Sequence, residues 1–144
     1  MFILHSYTLV EFIFVVYILS KWQNRIKQEI LLSLTYVPFF IIWLIAKIFI
    51  EDFSNFDNIS SSLSSAVITV LSAYVLLELV KEWNKSRGNA VFWVASGFLI
   101  YFSGNLVLFA LSTTVIISTW AIHNILVIIS NLFYVGGFSA LRRR

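Results

Sequence analysis

Glu11 is the residue of this chain best placed to do chemistry, because it puts one carboxylate inside an apolar run from Phe2 to Ser20. A charged side chain at such a position costs about 2.5–3.5 kcal/mol on insertion scales and usually turns towards a bundle interior. A helix rises about 1.5 Å per residue, which sets Glu11 about 13 Å from the start of its run. In the last apolar run of the chain, His123 and Asn124 come out at about 12–14 Å from the same face of a bilayer. The preceding run travels the other way and brings Asn105 to about 9 Å and Ser103 to about 12 Å, with Tyr101 about a turn deeper. Glu11, His123, Asn124, Asn105, Ser103 and Tyr101 are therefore expected to form one polar core in the outer half of a bundle.

Two chemistries suit that set. Glu11 and His123 could share a proton, histidine being the side chain that changes charge near physiological pH. Glu11 could instead be a neutral acid donating to Asn105 or Asn124. The mechanical alternative is that these groups only hold helices together, at roughly 0.6 kcal/mol per polar contact. Zinc needs three or four ligands, and within the membrane only His5, His123 and Glu11 are at hand, with no pair on one helix face. The absence of cysteine removes disulfides, thiolate metal sites and thiol redox chemistry together. HExxH, GxSxG, a glycine-rich phosphate loop and an acidic pair suited to glycoside or aspartyl-protease chemistry are all missing, as is a mid-span lysine for a Schiff base. No catalytic residue, cofactor or metal is assigned. His5, six residues before Glu11, points to another face and reads as a solvated interfacial residue.

The elements that must carry these groups are membrane spans. The chain has 144 residues, 60% of them hydrophobic and 12% charged, with mean hydropathy +0.91. Soluble domains carry about 25% charged residues. Five apolar stretches reach the length of about 20 residues that crosses a bilayer as a helix: 2–20, 30–50, 63–80, 90–111 and 115–141. They predict a single all-α transmembrane bundle. Every Lys and Arg except Lys47 lies in the connection after the first run, the connection after the third, or the tail Arg142-Arg143-Arg144. The positive-inside rule then puts the N-terminus outside and the C-terminus inside. Trp22, Trp83 and Trp93 fall at the inner interface and Trp120 near the outer one. The net charge of +3 reports orientation, and no nucleic-acid partner is expected. The first run has neither a basic leader nor a small-residue cleavage site, so it reads as a retained helix. Because it begins at residue 2, the chain also suits the C-terminal part of a longer protein.

Smaller signals concern packing. The single proline, Pro38, predicts a kink in the second span. Lys47 is expected to extend its head outward towards Glu51, and Glu78 to do the same beside Lys81. Ser60 or Ser61 reads as an N-cap of the third span. Gly97 and Gly104, seven apart, should let a neighbour approach the fourth span, and Asn124 and Asn131 share a face of the fifth.

Three stretches carry a resemblance: Tyr7-Thr8-Leu9-Val10-Glu11-Phe12; Phe92-Trp93 with Ser96-Gly97-Phe98-Leu99-Ile100-Tyr101-Phe102-Ser103-Gly104-Asn105; and Trp120-Ala121-Ile122-His123-Asn124-Ile125-Leu126. Together they resemble a group of small uncharacterised bacterial multi-span proteins of about seven helices, often encoded near sensor kinases. The resemblance implies a bacterial inner-membrane location, two further helices upstream and a membrane-protein partner such as a sensor kinase. It implies no activity. The expected function is a non-enzymatic sensory or signalling module, in the bilayer alone or as an oligomer. The alternatives are a proton-coupled transporter subunit using Glu11, His123 and Pro38, and an intramembrane lipid hydrolase.

Overall fold

In a computed structural model, residues 2–22, 25–49, 58–81, 90–111 and 116–142 are described, and they form five α-helices. In chain order these are α1 (Phe2–Lys21), α2 (Arg25–Phe49), α3 (Asn58–Lys81), α4 (Ala90–Leu111) and α5 (Ile116–Arg142). Four segments are long and apolar enough to cross a membrane: Gln28–Ile48, Ile59–Lys81, Ala90–Phe109 and Ala121–Arg142. The architecture is an all-helical bundle of the multi-pass type.

Helix α3 is the hub, packed against α1, α2 and α4, while α5 lies outermost against α4. On α1 the buried positions Thr8, Phe12, Val15, Val16, Leu19 and Ser20 recur at helical spacing and make one inward stripe. Phe12 stacks on Phe39 of α2 with ring centroids 3.6 Å apart, and Ile68 of α3 is buried in the same cluster. Tyr36 adds an edge-on ring to Phe12 and donates its hydroxyl to the Ile13 carbonyl at 2.7 Å, tying α2 to α1. The outward faces are as apolar as the core. Leu34, Val37, Ile41 and Ile48 on α2, and Ile125, Ile128, Leu132 and Phe138 on α5, are all exposed. Lipid is as apolar as these side chains, so burial gives no reason to turn them inward.

The bounds differ most from the apolar runs at two places. Helix α2 begins at Arg25, so most of the basic connection is already helical. Helix α3 begins at Asn58, which puts Ser60 and Ser61 inside its first turn instead of at an N-cap. These serines pack between helices: Ser60, Ser64, Ser65 and Ser72 are buried, and Ser61 Oγ lies 3.3 Å from Thr8 Oγ1 of α1. Small side chains there let α3 serve as the hub, since without water to expel, helices associate through close backbone approach. Helix α2 runs on through Pro38. Lys47 is 6% exposed, with its ammonium 5.9 Å from the Trp43 ring centroid, so its head packs against an aromatic face and is not extended. Its expected partner Glu51 lies outside the described residues, as do Trp83 and most of the second and third connections.

Candidate functional site

A cavity of about 210 Å³ lies where α1 faces the α4–α5 pair. Helix α1 contributes Tyr7, Glu11 and Val15, spaced one turn apart, so they form a stripe beside the buried one that holds Phe12 and Val16. The Tyr7 hydroxyl donates to Glu11 Oε1 at 3.3 Å. Tyr7 is 59% exposed and marks the open edge. Glu11 thus turns towards the fourth and fifth helices.

The opposite walls follow from two close-packed helices. Phe98, Tyr101 and Phe102 of α4 line the cavity, with Ser130, Asn131 and Tyr134 on α5. Tyr134 can stand there because Gly97 has no side chain: a Cβ on Gly97 would sit 2.5 Å from Tyr134 Cε1. Gly104 seats Leu126 in the same way, and Gly136 receives Trp93. The close approach expected of Gly97 and Gly104 is therefore an α4–α5 contact. The Tyr134 and Phe98 rings, both on the lining, meet edge to face at 5.5 Å.

One turn beyond the cavity, His123 Nδ1 lies 3.0 Å from Asn105 Oδ1. An amide oxygen only accepts, so the ring nitrogen donates. Asn105 follows Tyr101 by one turn of α4, and His123 precedes Val127, another lining residue, by one turn of α5. Tyr101 connects the two places: it lines the cavity, and its ring is 6.0 Å from the His123 ring.

Of the six residues read as a polar core, Glu11 and Tyr101 share the cavity. Asn105 and His123 share a hydrogen bond next to it, and Tyr101 touches both places. Ser103 bonds back to the Ile100 carbonyl at 3.4 Å, and Asn124 is on an exposed part of α5; neither lines the cavity. The residues opposite Glu11 on α5 are Ser130, Asn131 and Tyr134, two to three turns past His123. Depth counted along straight helices does not find them, because the tilt and rotation of each helix decide which levels and faces meet. Tyr7 was legible as the residue one turn before Glu11.

Chemically, the arrangement offers one carboxylate, several phenol rings and hydroxyls, and one amide around a small space. Among the described residues no three His, Cys, Asp or Glu side chains gather as a metal ion would require. Compared with family models, curated proteins and solved structures, the chain matches none of them.

Proposed function

We propose that this chain is a non-enzymatic sensory or signalling membrane module whose responsive element is the Glu11 cavity, with Asn105 and His123 as its neighbouring polar contact. In this reading all five helices span the bilayer, α1 included, with the N-terminus outside and the C-terminus inside. The membrane is a bacterial inner membrane and the partner a membrane protein of the sensor-kinase kind. The observation that carries it is a carboxylate facing a cavity between one helix and a glycine-packed pair, within reach of a tyrosine on each side. Intramembrane acids so placed are expensive and mark function by default. A change of ligand or proton at Glu11 would alter how α1 sits against α4 and α5, and that is a switch of the local kind that a partner can read.

Glu11→Gln keeps the shape and removes the charge. The expected outcome is an altered transcriptional response to external pH and metabolite shifts at unchanged membrane levels. An identical response profile would sink the reading. Orientation is tested separately, since the chain has no cysteine. A cysteine placed at Asn55 should react with an impermeant thiol reagent from outside, and one at Lys85 only after permeabilisation. A second reading, a proton-coupled carrier subunit, draws on the same carboxylate-lined space. Uptake into proteoliposomes driven by a pH gradient would favour it over the sensory one.

A further inference from the structure

We propose that the cavity between α1, α4 and α5 binds a small organic ammonium ion, a primary amine carrying one ring or a short alkyl chain. The proposal rests on the sensory reading and names its ligand class. Among the described residues of the lining Glu11 is the charged one, and no Lys, Arg or His stands with it there, a lining that favours a cation. Rings line the same cavity as the carboxylate: Tyr7 on α1, Phe98, Tyr101 and Phe102 on α4, and Tyr134 on α5. Aromatic faces around an anionic group are the usual way to hold an organic cation away from water.

The polar groups specify which kind of cation. Ser130 lines the cavity, is 2% exposed, and its Oγ has no hydrogen-bond partner among the described residues. A buried hydroxyl left this way loses free energy unless something in the cavity meets it. Asn131 adds an amide beside it. Glu11 receives the Tyr7 hydroxyl on one oxygen, and a carboxylate keeps several further acceptor sites. Carboxylate, hydroxyl and amide oxygens match the three N–H donors of a primary ammonium, which a quaternary ammonium lacks. Size sets the rest of the ligand. A cavity of about 150 Å³ is enough for benzene, so about 210 Å³ leaves room for a ring and an aminoalkyl arm.

Such an amine could arrive free or as the ethanolamine head group of a lipid. The test is calorimetric titration of the full chain in phosphatidylglycerol nanodiscs, with phenethylamine as the probe. Saturable one-to-one binding is expected. It should weaken roughly tenfold in Glu11→Gln and severalfold in Ser130→Ala. In the unmodified chain, the trimethylammonium analogue and the uncharged alcohol analogue should both bind more weakly than the amine. Adding phosphatidylethanolamine to the discs distinguishes the sources: competition assigns the lipid head group, no competition a free amine, and both keep the ammonium site. Absence of saturable binding, equal binding to Glu11→Gln, or preference for the alcohol overturns the proposal. Because the titration needs no signalling partner, binding with an unchanged Glu11→Gln response would remove the sensory reading alone. An altered response without binding would remove the ligand alone.

Discussion

The same small device occurs at two places among the described residues. On α1, Tyr7 donates to Glu11 one turn later at 3.3 Å; on α3, Tyr74 donates to Glu78 one turn later at 2.9 Å. Helix geometry alone produces both, since residues four apart lie one above the other on one face. Their surroundings are what differ. Glu78 lies three residues before the end of α3, within reach of the polar boundary. Glu11 is mid-helix, with the buried Phe12 beside it and a cavity shared with α4 and α5 in front of it. One pair is a helix-end hydrogen bond that water can replace. The other is part of a tertiary site. A motif's chemistry therefore comes from its depth and from what stands opposite it.

The largest test of that contrast is insertion. Replacing Glu11 by Leu should favour partition of α1 into a membrane by about 2.5–3.5 kcal/mol, whereas Glu78→Leu should change α3 far less, because its head already reaches the interface. Glycosylation mapping of the two segments would measure both, and equal gains would erase the distinction. Next in size is the wall of the cavity. Gly97→Leu should cost about 1–3 kcal/mol by pushing Tyr134 off α4, and should abolish any Glu11-dependent response while leaving the Tyr74–Glu78 bond in place. Thermal unfolding in detergent reads the first effect and the Glu11→Gln response assay the second. The smallest effect belongs to the hydroxyls. Tyr7→Phe should cost about 0.6 kcal/mol and Tyr74→Phe close to nothing, since Glu78 is near enough to the helix end to reach the polar boundary without its tyrosine. A larger loss at Tyr74 than at Tyr7 in the same unfolding assay would reverse the comparison.

Much of the helical layout was written in local pattern. Hydropathy placed the four segments that are apolar enough to cross a membrane, and the α4 bounds 90–111 coincide with the apolar run. Hydropathy is a property of consecutive residues, and a helix in lipid must satisfy its own backbone, so length and polarity are enough. The ends of α2 and α3 were less legible. Residues 25–27 and 60–62 look like connections by polarity but continue their helices; the small serines of α3 do so while packing in a helix contact.

The site divides along the same line. The chain by itself determined that Glu11 is costly, that Tyr7 lies one turn from it, and that Gly97 and Gly104 permit close approach. Only the tertiary structure decided that Glu11 shares a cavity with Tyr101, Ser130, Asn131 and Tyr134, and that His123 bonds Asn105 one turn beyond it. The reason is geometric. Position along a helix gives a depth and a face, but which faces meet across α1, α4 and α5 depends on crossing and rotation. Those are set by interlocking contacts such as Tyr134 on Gly97 and Phe12 on Phe39, whose partners are far apart in the chain.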